Sequence, residues 1–292
     1  MNASRTQRKA PPAFTLVELM LSVAIVAVLT AAAIGAFYWA RTRAAISTSS
    51  SNLHQLVVAN LAYAADHGGY YCPAQEPRNL RRWHGSRAST EEEFTPEDGF
   101  LTPYLGKDKK LETCPLLLKT LGKKSSFEDG AGGYGYNATY IGGRPGDIYS
   151  PVASLDVEVP GRTIMFATTA LSKEEGIQEY PFAEPWFAPT EKGGHAWDLQ
   201  PSVHFRAEGK AIVAWCDGRI SLEKPAGFKE TNYYGGNNEK AGIGWFGPEA
   251  SNGFWNPYSP AALNGWNPLP EEPPGQSGGE STSVSESAEE NR

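Results

Sequence analysis

An uninterrupted apolar run near the start of the chain limits its fold more than any other feature. Residues 19–39 contain no charged side chain. About 20 apolar residues in a helix cross the hydrocarbon core of a bilayer, so residues 14–39 have spanning length. Only a helix can satisfy its own backbone in that setting. Arg5, Arg8 and Lys9 precede the run, with no acidic residue among them. Positive flanks stay on the cytoplasmic side, which puts the rest of the chain on the far side. One carboxylate, Glu18, lies just inside the run. A charge in hydrocarbon is costly unless it finds a partner, so Glu18 calls for one.

The stretch Ala13-Phe14-Thr15-Leu16-Val17-Glu18-Leu19, behind a short basic leader, resembles the prepilin family. That family comprises type IV pilins and the pseudopilins of type II secretion. The resemblance implies cleavage by a membrane-embedded prepilin peptidase between Ala13 and Phe14. Family leaders usually end in Gly; here the small residue is Ala13. The resemblance also makes Phe14 a methylated N-terminus. Glu18 becomes the assembly carboxylate, which pairs with the Phe14 amine of a neighbouring pilin-like subunit. The implied fold is α+β and pilin-like, with a long N-terminal helix packed on a C-terminal antiparallel sheet. The implied product is a filament built on an inner-membrane assembly platform, from a single-pass precursor of the bacterial inner membrane with its C-terminal domain extracytoplasmic.

Organisation along the chain follows from periodicity. Residues 1–13 are a leader and are set aside from the fold. Residues 41–65 keep apolar spacing of three and four at Ile46, Leu53, Leu56, Val57, Leu61 and Ala64, with Asn60 on the same face. His67-Gly68-Gly69 supplies a glycine stop. One helix over 14–66 is therefore expected, with its first half bare and its second half amphipathic. Residues 67–267 form the globular domain. Residues 100–105 and 111–121 are each a short helix or strand, and residues 130–146 are loop with one short strand. A strand is expected over 162–169. A three-stranded meander is expected over 203–207, 210–216 and 219–223, with Glu208-Gly209 and Asp217-Gly218 as two-residue turns. Residues 228–266 are glycine-rich loops pinned by Trp245, Trp255 and Trp266. Residues 268–292 carry Pro, Gly, Ser and Glu with few apolar side chains, the composition of a disordered acidic tail.

The chemistry-bearing residues are few. Cys72 and Cys114 both precede Pro, and both fall in the domain expected in an oxidising compartment. A Cys72–Cys114 bridge would close a loop of about forty residues and add about 3–4 kcal/mol. Cys114–Cys216 is the alternative, and spacing does not choose between them. A subgroup of pilin-like proteins carries a Cys-Pro element, a His and a terminal Asp-Gly; the matching pieces here are Thr113-Cys114-Pro115, His204 and Asp217-Gly218. Some pseudopilins hold Ca²⁺ in an acidic loop. Asp147, Asp156, Asp198 and Asp217 are the residues such a site would use, but no EF-hand-like run is present. Asp217 reads as a turn residue, and no cofactor is expected.

No phosphate-binding glycine loop, nucleophile elbow or His-Glu-x-x-His is present, so the chain is not expected to be an enzyme. A net charge of -7 gives no basic footprint for nucleic acid. Two other readings stand beside the filament subunit. One is a tethered binding module whose aromatic loops contact a ligand. The other is a secreted domain whose residues 16–29 form a signal-peptide core.

Overall fold

The computed structural model describes residues 15–106, 111–121, 128, 130–191, 195–248 and 251–258. Its dominant element is α1, Leu16–Asp66, a 51-residue helix about 77 Å long at 1.5 Å per residue. Thr15 caps it in extended conformation, with a reciprocal bond set to Glu18. At the other end His67 is the cap, Gly68 takes φ +65°, and Gly69 N–H donates to Ala64 O at 2.8 Å. This is a Schellman closure, and it needs the left-handed residue that glycine supplies. The expected glycine stop is in place.

The two halves of α1 have different surroundings. Its apolar N-terminal half is exposed, with Val28 69% and Trp39 63% accessible. From Ala45 onward one face is buried: Ala45, Ile46, Ser49, Asn52, Leu53, Leu56, Val57, Asn60 and Ala64. That spacing traces one stripe along a 3.6-residue helix. Leu61, expected on the stripe, lies off it at 40% exposure.

The stripe packs on a four-stranded antiparallel sheet. Its strands are β1 (Tyr134–Tyr136), β2 (Ile164–Thr168), β4 (Ala211–Trp215) and β5 (Ile220–Glu223), in the order β5-β4-β2-β1. Alternation along β4 sends Ile212 and Ala214 toward the helix, and Ala211, Val213 and Trp215 to the other side. A bulge opposite Ala214 and Trp215 inserts Met165 into β2, so that Met165 and Phe166 both join the helix-side core. The reverse face is covered by Phe246, Phe254 and Trp255 from the C-terminal loops. Strands β1, β2 and β4 are thus a buried middle layer between the helix and an aromatic layer, with β5 as a partly exposed edge.

The expected strand over 162–169 is β2, shortened at its start because Pro160–Arg162 form a 3-10 turn. Thr102–Tyr104 is likewise a 3-10 turn, and β1 is the short strand in the glycine-rich 130–146 segment. The meander is corrected in its first strand only: β4 and β5 pair as expected, and Glu208-Gly209 is the expected two-residue turn, closed by reciprocal bonds between Ala207 and Lys210. Strand β3 (Val203–His204) does not pair with β4, because β2 already occupies that edge. It pairs instead with β7 (Ile243–Trp245), which pairs with β6 (Gly227–Phe228). The Asp217-Gly218 turn is also corrected. The loop is longer than two residues: Gly218 N–H donates to Trp215 O and Trp215 N–H to Arg219 O, both at 2.9 Å, with Gly218 at φ +89°.

Candidate functional site

The N-terminal turn of α1 carries the charge that the sequence singled out. Among the described residues of the apolar half, 16–40, Glu18 is the one charged side chain. Its neighbours Leu16, Val17, Leu19 and Met20 are 58–73% exposed. Thr15 N–H and Thr15 Oγ1–H both donate to Glu18 Oε2 at 2.9 Å. Glu18 N–H returns a bond to Thr15 Oγ1 at 3.3 Å. This capping box places a carboxylate at the positive end of the helix dipole. Both Thr15 bonds fall on Oε2, which leaves Oε1 without a partner among the described residues. Ala13 and Phe14 lie outside the described residues.

The cysteines are placed differently from the sequence expectation. Cys72, Cys114 and Cys216 are all free, buried thiols, so neither candidate disulfide is formed. Cys114 Sγ lies 3.1 Å from Ser49 Oγ, whereas Cys72 N–H donates to Asn60 Oδ1 at 2.8 Å. Ser49 and Asn60 are eleven helical residues apart, so the two anchor points are separated by about 16 Å along α1. A disulfide needs Cα atoms within about 7 Å. Burial pushes the Cys72 and Cys216 thiols up, with Asp217 adding to the effect on Cys216. Burial is the largest influence on Cys114 and opposes its ionisation, but the Arg206 guanidinium, the Ser49 hydroxyl and the Leu117 N–H together outweigh it and hold that thiol below its usual range.

Asp217 sits in the β4–β5 turn, where Oδ1 accepts from Arg219 N–H at 2.9 Å. Arg219 stacks over Trp215, 4.5 Å from the ring centroid, and donates to Gly161 O at 2.7 Å. The carboxylate therefore organises a turn. Asp147 is bound by Ser150 and Tyr149, and Asp198 by His195 at 2.9 Å. Among the described residues no three His, Cys, Asp or Glu side chains converge as a metal site. His204 is buried and accepts from Arg206 Nη1 at 3.0 Å, in the tautomer that leaves Nδ1 unprotonated. Burial, then Arg206, keeps its pKa well below the normal range, so it is a neutral anchor.

The sequence reading missed a polar seam between helix and sheet. Asn52 Nδ2 donates to Tyr134 Oη at 3.0 Å and to Glu112 O at 3.2 Å. Asn60 Nδ2 donates to Tyr136 Oη at 2.9 Å. The available signal was three polar residues, Ser49, Asn52 and Asn60, at helical spacing on an otherwise apolar face. Trp245 and Trp255 are buried, and their Nε1 groups donate to Pro185 O and Ala183 O. They pin loops, as expected, while Trp266 lies outside the described residues.

A search of family models, of curated proteins and of solved structures finds no match to this chain.

Proposed function

We propose that this chain is a structural subunit of a type II secretion pseudopilus or a type IV pilus-like filament. The observation that carries the reading is Glu18: the single charge on a bare apolar half-helix, in its first turn, with Oε1 unpartnered among the described residues. In this reading a prepilin peptidase cuts between Ala13 and Phe14 and the new amine is methylated. Residues 14–39 hold the precursor in the inner membrane, with the sheet domain outside. Incoming subunits then pack through the same helices. The Phe14 amine of one subunit meets the open oxygen of Glu18 on the next. In a low dielectric that attraction is much stronger than in water, and it sets the register of addition. The sheet domain catalyses nothing and presents a surface on the finished filament.

The test is mass spectrometry of the mature N-terminus from the native host, combined with Glu18→Gln. The expected result is an N-methylated Phe14, and loss of filament incorporation in E18Q with cleavage intact. A start near residue 34 would replace the reading with a secreted domain. An uncut chain indifferent to E18Q would replace it with a tethered binding module.

A further inference from the structure

A cleft of about 490 Å³ opens on the sheet domain away from α1. Its walls are Phe182, Ile148, Tyr149 and Trp197; the last three are 48%, 39% and 64% exposed. Glu184 and Tyr180 also line it, and Tyr180 Oη–H donates to Glu184 Oε1 at 2.7 Å. Glu184 Oε2 has no partner among the described residues.

The other charges of the cleft are already occupied. Arg144 is turned to Ser150 O and Pro151 O at 3.3 and 3.1 Å, and Asp147 is held by Ser150 and Tyr149. The charged neighbour acting on Glu184 is another acid, Glu128, itself paired with Arg82 at 2.6 Å. Glu184 is therefore a half-buried carboxyl with one open oxygen and no cation of its own. Burial raises its pKa, the Tyr180 bond opposes that, and Glu128 adds to it. A cation placed on Oε2 would relieve this cost.

The cleft is held in shape from behind. Glu184 N–H donates to Ser202 Oγ at 2.8 Å. Asn252 Oδ1 accepts from Trp186 N–H at 2.9 Å, and its Nδ2 donates to Phe187 O at 2.8 Å. These bonds fix the start of the antiparallel pair Phe187–Pro189 and His195–Asp198, which carries Trp197. A preformed, largely apolar cavity with one convergent polar group has the general character of a ligand site.

We propose that this cleft receives a lysine or arginine side chain from an extended segment of a partner protein, with the cation on Glu184 and its stem among the aromatic walls. Aromatic faces attract cations as well as apolar stems. At about 490 Å³ the cleft is larger than one lysine side chain, and its exposed margin is apolar at Ile148, Tyr149 and Trp197, which favours a peptide with apolar residues flanking the cation over a free amine.

The test uses the full chain in zwitterionic nanodiscs and titrates acetyl-Phe-Lys-Phe-amide against its norleucine analogue by calorimetry. The lysine peptide is expected to bind at least about tenfold more tightly, the scale of a hydrogen bond to a charged group. Glu184→Gln should abolish that difference. Trp197→Ala, a change at an exposed position, should weaken both peptides. Equal binding of the two peptides, or no binding of either, overturns the proposal. So does a capped single lysine that binds as tightly as the tripeptide. Binding of chitohexaose without binding of the lysine peptide overturns it in favour of a glycan. None of these outcomes depends on N-terminal processing or filament assembly.

Discussion

Asn60 and Tyr136 meet in the core, with Asn60 Nδ2 donating to Tyr136 Oη at 2.9 Å. The same amide accepts from Cys72 N–H through Oδ1 at 2.8 Å. One side chain thus joins the helix, the first strand of the sheet and the segment that leaves the helix. Asn60→Leu would strand a buried N–H, and each buried unsatisfied group costs about 1–3 kcal/mol. Tyr136→Phe removes the hydroxyl that accepts from Asn60 Nδ2 and donates to Cys72 O at 3.1 Å. Asn60 Nδ2 keeps Met165 Sδ at 3.5 Å, and an under-satisfied carbonyl is tolerated better than an orphaned N–H. The ring also keeps its stacking on Phe166 at 4.7 Å between centroids, so the change should cost less, about 1 kcal/mol. Urea unfolding of the full chain in nanodiscs, followed by tryptophan fluorescence, should rank N60L below Y136F. The reverse order would mean that the Cys72 bond contributes nothing.

The thiols provide a second expectation. All three cysteines are buried and unpaired. Alkylation of the unfolded chain without reductant should add three groups, seen by intact mass. In the folded chain Cys72 and Cys216 should react far more slowly, since thiolates are the reactive form and burial disfavours them at both. Fewer than three groups on the unreduced, unfolded chain would show a bridge.

Acid should weaken the domain through its histidines. His84 is 1% exposed, and neither ring nitrogen has a hydrogen-bond partner among the described residues. Burial, with the Arg82 charge nearby, pushes its pKa down to about 3. The unfolded value is about 6.5. Between these limits the unfolded chain binds a proton that the folded chain refuses. Stability therefore falls as pH drops from about 6.5, by about 1.4 kcal/mol per unit for each such group. Above about 6.5 the term vanishes. His204 acts with the same sign. His84→Phe should remove close to one proton from the slope of unfolding free energy against pH between about 6 and 4. An unchanged slope would mean that the ring protonates in place.

Much of this architecture could be read from the residues. The bare half-helix follows from the missing charges over 19–39, and the amphipathic half from apolar spacing at three and four. Gly68 and Gly69 mark the helix end because the closure needs left-handed backbone. What stayed hidden was non-local. Residues 203–207 alternate like a meander strand, but the edge of β4 was already taken by β2, some forty residues earlier in the chain. Two cysteines before prolines look like a pair until the helix separates them. Asn52 and Asn60 look like interruptions of an apolar stripe, because their tyrosine partners are 82 and 76 residues away. The cleft draws its walls from four separate segments, and no spacing in the sequence announces it.

Asp217 and Gly218 allow a turn residue to be told from a metal ligand. Gly218 has φ +89°, and a Cβ added there would meet nothing within 4 Å. Its replacement by Ala is then a purely conformational change, expected to cost about 1–2 kcal/mol. Gly218→Asn should recover part of that, since Asn tolerates the left-handed region better. Asp217→Ala removes the acceptor for Arg219 N–H and should cost about 1 kcal/mol or less at this exposed tip. All three effects should be the same with Ca²⁺ and with a chelator, because the Asp217 carboxylate is engaged by backbone within its own turn. A melting temperature that rises with Ca²⁺ in the parent chain but not in D217A would instead make Asp217 a ligand.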